Sequence, residues 1–322
     1  MKRISIPRLR AAVALAGALL ACGPTMAQKA LTIGYATPDL SSSFWISMTY
    51  GVEDEAKKLG VALVKLNAGG DANVNIQISQ LQDLAQRKVD AIVVGATNGD
   101  AIRGAVEHAI GKGIPVVGLS SVPNSDKLAS RISADHYDMG RLQAQCLGKA
   151  LNGKGAVGMI SQQQGQTWAD LRRQGFLETI MAEYPGIKVV AESRSAVTRN
   201  GAINLVDDWL QRFPEMNGIY SAVDDSAAGA ALAVKSARRE SVKISASNLS
   251  PTAQQMLRSG ELACSSVQQI VTQGREALRQ AVAAARKEST TAVVRTPSIM
   301  ATRDNLAKLD LSLVTAPKDY RP

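Results

Sequence analysis

The sequence predicts an α/β protein of two doubly wound domains, each a parallel sheet with helices on both faces. Three observations carry this. Short β-rich runs alternate with segments of helical period along most of the chain, the pattern of repeated βα units with right-handed crossovers. Each β-rich run is apolar and bounded by Gly, Pro, Asn or Asp, as a strand buried on both faces should be. The units fall into two series of similar size, with no low-complexity linker or short-period repeat.

The chain opens on a leader. Lys2, Arg3, Arg8 and Arg10 form a basic region, and Ala11 to Ala21 is an apolar stretch too short to span a bilayer. Small residues at Thr25 and Ala27 place a cleavage site after Ala27, making residues 1–27 a signal peptide and the mature protein periplasmic. A competing reading takes Leu19-Leu20-Ala21-Cys22 as a lipoprotein box with Cys22 lipidated, but Leu20 fits its second position poorly. The leader carries four basic and no acidic residues, so removing it lowers the formal charge from +9 to +5. That residual charge argues little for nucleic acid. The 295 remaining residues suit two domains of ordinary size.

In order, the predicted strands of the first series are Leu31 to Ala36, Val61 to Leu66, Ala91 to Gly95 and Ile114 to Leu119. The helices between them are Phe44 to Leu59, Val74 to Arg87 and Asp100 to Gly111. The second series begins near Asp135. Its helices are His136 to Leu151, Trp168 to Glu183, Asn200 to Arg212, Asp225 to Ser236, Pro251 to Arg258 and the Ala-rich Thr272 to Arg286. Its strands are Ala156 to Ser161, Ile187 to Glu192, Gly218 to Ala222, Val242 to Ser247 and Leu262 to Gln268.

Ligands of open α/β sheets bind beyond the carboxyl ends of the strands. The loop Ala36 to Ser43 stands at such an end, with serines at the helix N-cap and Phe44-Trp45 opening the helix. In a chain with 3 Phe, 3 Trp and 6 Tyr, adjacent aromatics there read as a wall that stacks on a small polar ligand; the plainer alternative is packing of the first helix. His136, at a helix start after a strand, is placed to face the same region or to cap its helix. Trp168 opens a helix of the second series and either faces the cleft or packs on a neighbour. Asp39 and Asp71, in strand-end loops, are weaker candidates, and Trp209 sits mid-helix as a packing residue. Of Asp224-Asp225, one caps a helix and one can reach a ligand.

Catalytic and metal chemistry lack their residues. The glycines of Gly153-Lys154-Gly155-Ala156-Val157-Gly158 follow a helix and lead into a strand, the reverse of a dinucleotide site. There is no phosphate loop and no nucleophile elbow, and nothing assembles nucleophile, base and oxyanion donors, so the chain is expected not to be an enzyme and to need no cofactor. Two histidines, and two cysteines after the leader, without ligand spacing predict no metal site. Cys146 and Cys264 can pair in an oxidising compartment, but each lies in apolar context and the pair is expected as buried free thiols. A DNA-reading helix-turn-helix would have to precede the first strand, where the leader stands.

Several motifs, in their order and spacing, resemble the type I periplasmic binding proteins, and most of all the ribose-type substrate-binding proteins of ABC importers. They are Phe44-Trp45 after a serine-rich loop, Gly51 through Glu55-Ala56-Lys57-Lys58-Leu59-Gly60, Ala91-Ile92-Val93-Val94, Gly113-Ile114-Pro115-Val116-Val117, Arg172-Arg173-Gln174-Gly175-Phe176 and Asp224-Asp225-Ser226-Ala227-Ala228-Gly229. The resemblance implies two lobes joined by three crossing strands near Ala134, Gln268 and Pro297. The first lobe would be 28–134 plus 269–298, the second 135–268 plus 299–322. It implies a monomer that holds a sugar or related solute between the lobes and delivers it to a permease.

Residue by residue, Phe44 and Trp45 match paired aromatics that sandwich a sugar ring, Arg172 an arginine that grips sugar oxygens, and Gln268 a glutamine at a hinge. Asp225 and Asn248 would add polar contacts, Asn248 standing where an aspartate is usual. Ser42 replaces an asparagine and Val223 another. Ser120-Ser121 replace an Asp-Arg pair, which makes ribose itself doubtful as the ligand. A second likeness, to the periplasmic sensor of trimethylamine N-oxide that partners a histidine kinase, rests on Phe44 through Gly51, Asn67-Ala68-Gly69-Gly70, Asp138-Met139-Gly140 and Tyr320-Arg321-Pro322. It implies a methylamine-like ligand in an aromatic cage, with Asp71, His136 and Asn248 where aromatics would stand.

Overall fold

The computed structural model describes Met1 and residues 30–322. Apart from Met1, the expected leader, its cleavage site and Cys22 lie outside the described residues.

The unit Leu31–Pro322 contains two six-stranded sheets. The first is built from β1 (Thr32–Thr37), α1 (Ser43–Leu59), β2 (Ala62–Asn67), α2 (Val74–Gln86), β3 (Ala91–Val94), α3 (Arg103–Gly111), β4 (Val116–Leu119) and β5 (Ser130–Ala134). The second series is α4 (His136–Ala150), β6 (Lys154–Ile160), α5 (Thr167–Glu183), β7 (Gly186–Ser193), α6 (Arg199–Arg212), β8 (Met216–Ser221), α7 (Asp224–Ser236), β9 (Lys243–Ser247), α8 (Pro251–Ser259) and β10 (Cys264–Val267). The chain then returns through α9 (Ile270–Ala285) and β11 (Val293–Thr296) to the first sheet, and through β12 (Ile299–Ala301) to the second. The strand orders are β11-β5-β4-β3-β1-β2 and β12-β10-β9-β8-β6-β7. All pairings are parallel except β10 with β12.

Alternate residues on the strands serve opposite helix layers. Ile33, Tyr35 and Val93 pack with Met48 and Val52 of α1 and Leu278 of α9. Their neighbours Ile92, Val94 and Ala36 pack with Leu81 and Leu84 of α2 and Val106 of α3. The second sheet divides likewise, with Val157 and Met159 against Leu147 of α4 and Phe176 of α5, and Ile219 and Ile244 against Val206 of α6 and Val234 of α7.

Helices cross closely on glycine. A Cβ on Gly51 would lie 2.2 Å from the Val271 carbonyl oxygen, and one on Gly274 2.3 Å from that of Met48, so α1 and α9 meet backbone to backbone. The crossing of α4 and α5 has the same design. A Cβ on Gly140 would be 1.9 Å from Arg172 O and one on Gly175 2.1 Å from Tyr137 O.

Two expectations are corrected. Cys146 on α4 and Cys264 on β10 form a disulfide, with Cα atoms 6.6 Å apart across 118 residues of sequence, inside the spacing such a bond requires. Apolar context alone suggested free thiols; the packing of α4 across β10 brings the two together. The C-terminal tail also departs from the second lobe. Beyond β12 the chain crosses back to α1 of the first series. The Ala316 amide donates to Ser47 Oγ at 3.1 Å, Tyr320 OH to Glu53 at 2.8 Å, and the Tyr50 and Tyr320 rings meet edge to face at 5.0 Å. The short strands β5, β11 and β12, absent from the sequence-based list, lie beside two of the three crossings, at Asp135 and at Pro297-Ser298; the third is Gln268-Gln269.

Among the described residues no helix is long and apolar enough to cross a membrane, and no group of three or more His, Cys, Asp or Glu side chains is gathered as for a metal ion.

Candidate functional site

Three neighbouring parallel strands of the second sheet, β8, β9 and β10, end on Ser221, Ser247 and Val267. The next residues, Ala222, Asn248 and Gln268, therefore stand side by side beyond the carboxyl ends. Arg172 reaches them from α5. Its Nη1 donates to Ala222 O at 2.5 Å and its Nη2 to Asn248 Oδ1 at 3.2 Å. Asn248 Oδ1 also accepts from Gln268 Nε2 at 2.7 Å. Asn248 has φ +84°, a left-handed conformation that Asn tolerates better than most residues, and this turns its carboxamide toward Arg172.

The glycine crossing of α4 and α5 sets the remaining contact. His136 is one turn before Gly140 and Arg172 one turn before Gly175, so the two side chains meet on the same side of the crossing. Arg172 Nε donates to His136 Nδ1 at 3.3 Å. A neutral imidazole that accepts at Nδ1 carries its proton on Nε2, and His136 Nε2 has no partner among the described residues. His136 is 6% exposed and Arg172 2%. Burial, followed by the neighbouring Arg172 and Arg295, holds His136 well below its ordinary value, so the ring is neutral near pH 7. Burial also lowers the Arg172 guanidinium to about 10. Trp168, half-buried, lies with its ring 5.1 Å from the guanidinium carbon, a cation–π contact between residues one turn apart.

The network runs on into the hinge. Gln273 on α9 donates to Gln268 Oε1 at 3.0 Å and lies 3.1 Å from Thr296 Oγ1 at the end of β11. Gln143 on α4 supports it from beneath, donating to Ser221 O at 3.0 Å and accepting from Ser247 Oγ at 3.0 Å.

At the carboxyl end of the first sheet the candidates divide by role. Trp45 is a core residue, 8% exposed, and its ring occupies the space where a Cβ of Gly95 would stand, with the nearest ring atom 2.3 Å from that position. Phe44 meets it edge to face at 5.2 Å and is half-buried. Of the expected aromatic pair, then, Trp45 packs the helix and Phe44 is only partly covered. Ser42 is the N-cap of α1, its hydroxyl accepting from the Trp45 amide at 3.4 Å. Asp39 orders the same loop by accepting from the Ser41 and Ser42 amides, each at 2.8 Å. Burial pulls its carboxyl upward, but those bonds from Ser41 and Ser42 leave it below the ordinary range. Ser121 is half-buried, with its carbonyl taken by the Ala96 amide at 2.7 Å.

Asp225 stands apart from the Arg172 network. It is exposed and paired with Arg199 at 3.0 Å, because α7 turns its side chain toward α6. Its neighbour Asp224 is the buried member and accepts from the Ser250 amide at 2.7 Å, while burial raises its carboxyl. Sequence reasoning also missed Gln143 and Gln273. Each is a polar residue on the apolar stripe of its helix, Gln273 among Val271, Gly274, Ala277 and Leu278, and that misplacement was the available signal.

The comparisons with known proteins agree with this architecture. A family model described as a periplasmic binding protein domain matches residues 33–289. The chain is 32% identical over 241 residues to the xylitol-binding protein of Mycolicibacterium smegmatis, covering 72% of this chain and 68% of that one. It is 28% identical over 216 residues to the ribose import binding protein of Bacillus subtilis, covering 66% and 68%. A solute-binding protein of a carbohydrate transporter from Agrobacterium radiobacter, solved with D-arabinose, superposes with a TM-score of 0.83 at 26% identity, covering 89% of this chain and 99% of that one. The likeness to the trimethylamine N-oxide sensor gains no support from these relatives. With two α/β lobes of this topology and a family match over most of its length, the chain belongs to the periplasmic binding proteins, in their ribose-type branch.

Proposed function

We propose that this protein is a non-enzymatic, exported binding protein that captures a sugar or related polyol between its lobes and delivers it to an ABC permease. The observation that carries this reading is the buried set Arg172, His136, Asn248 and Gln268, which gathers hydrogen-bonding groups where three strands end, beside the half-buried ring of Trp168. Such a set suits a ligand covered with hydroxyls, with Phe44 contributing an apolar face from the other lobe. The relatives that bind xylitol and ribose support the ligand class.

Binding on one lobe followed by rotation of the other would select a closed state, and the closed surface is what the permease reads. The crossings at Asp135, Gln268-Gln269 and Pro297-Ser298 would carry that rotation, and the Gln268–Gln273–Thr296 bonds lie across two of them. The test is thermal unfolding of the mature protein, stripped of ligand by unfolding and refolding, against sugars, polyols, methylamines and trimethylamine N-oxide. A ligand at about a thousandfold its dissociation constant stabilises by about 4 kcal/mol. A shift confined to the methylamines or the N-oxide would replace the importer with the sensor.

A further inference from the structure

We infer that the solute this site selects is anionic: a polyol that carries a carboxylate, such as an aldonic or uronic acid. The inference rests on the solute-binding reading above and narrows its ligand.

Arg172 is the central observation. Its guanidinium is buried, yet it forms no salt bridge with any Asp or Glu among the described residues; its three partners are an imidazole nitrogen, a peptide carbonyl and a carboxamide oxygen. All three are neutral acceptors. A buried cation with no carboxylate bonded to it is costly, and the cost is relieved when a counter-ion binds directly. None of the acids of the surrounding elements bonds to the guanidinium, although Asp224 attracts it through space. Asp224 accepts from the Ser250 amide, Asp225 pairs with Arg199, and Glu192 is held by Arg173. Across the hinge, Asp39 is tied to the Ser41 and Ser42 amides of its own loop.

The second observation is independent of the charge. His136 is more than nine-tenths buried, and its Nε2–H meets no acceptor among the described residues. A buried donor left unpaired costs free energy that a ligand oxygen recovers. Arg172 has five N–H groups and spends three, so one on Nη1 and one on Nη2 remain. The free donors thus belong to two adjacent residues, one of them a full positive charge. A carboxylate accepting from both fits this set better than a hydroxyl, because charge-assisted hydrogen bonds are roughly twice as strong as neutral ones.

Matched pairs of solutes test this: D-xylonate against xylitol, D-ribonate against D-ribose, D-galacturonate against D-galactose. The ligand-free mature protein is titrated calorimetrically at pH 7.5 with each. The acid of at least one pair should bind at least about tenfold more tightly than its neutral partner. Asn248→Asp, which places a carboxylate against Arg172 and keeps a side chain that tolerates positive φ, should lower that ratio about tenfold or more. Tighter binding of the neutral member in every pair that binds would overturn the inference and leave the solute-binding reading standing. So would an acid preference unaffected by Asn248→Asp in a variant that still unfolds cooperatively. No heat with any member of the three pairs would count against both readings.

Discussion

Arg172 Nη2 and Asn248 Oδ1 lie 3.2 Å apart, and the same oxygen accepts from Gln268 Nε2 at 2.7 Å. One carboxamide thus joins the guanidinium of the candidate site to a residue at a crossing between the lobes. Gln268→Leu removes the hinge side of this junction and leaves Gln273 short of an acceptor. The expected loss is about 1–3 kcal/mol, the typical cost of stranding a buried polar group. Urea unfolding reads it, and the same variant in ligand titrations shows whether affinity falls further than stability.

Gly140 should not accept a side chain. Its Cβ would meet Arg172 O at 1.9 Å, so Gly140→Ala must push α4 from α5, at about 1–3 kcal/mol, and move His136 away from Arg172. Gly104→Ala on α3 is the control, since nothing among the described residues lies within 4 Å of that Cβ; helix propensity predicts a gain of up to about 1 kcal/mol there. Equal midpoints in urea for the two variants would contradict the crossing geometry.

The aromatic pair should split by readout. Trp45→Ala removes a buried ring packed over Gly95 and should cost about 3–5 kcal/mol of stability. Phe44→Ala should cost less stability and weaken ligand binding by about 1–3 kcal/mol if its ring stacks on the solute. Denaturant midpoints and titration calorimetry on both variants separate the two roles.

The Cys146–Cys264 bond closes a loop of 118 residues, and the paired Cys146→Ser, Cys264→Ser variant should be less stable by about 2–4 kcal/mol. Thiol titration of the native mature protein should find neither cysteine reactive before reduction.

Stability should fall on mild acidification through His136. Its folded value is depressed below the ordinary 6.5 by burial, so between the two values the unfolded chain holds a proton that the folded chain refuses. The stabilisation is complete above about pH 6.5 and declines below it, by up to about 1.4 kcal/mol per pH unit. Asp224, raised by burial, has the opposite sign and gains stability as pH falls. Comparison with His136→Gln, which keeps an acceptor for Arg172, isolates the histidine: the variant's unfolding free energy should depend less steeply on pH between 5 and 6.5.

By itself the sequence determined the fold class and the main βα units. These are local properties: apolar runs of strand length, helical periods and caps such as Ser42 are written in neighbouring residues. Arg172 and Gln268 were singled out through their resemblance to a known family, and the structure links them through Asn248. Tertiary structure alone decided which side chains meet. The Cys146–Cys264 bond, the return of Tyr320 to Glu53, the packing of Trp45 against Gly95 and the burial of Asp224 rather than Asp225 depend on distances between segments far apart in the chain. They depend as well on helix rotations of a fraction of a turn, which composition and spacing do not encode. Short strands such as β5 and β12 were missed for a related reason: with 5 and 3 residues, they are strands only because a neighbour pairs with them.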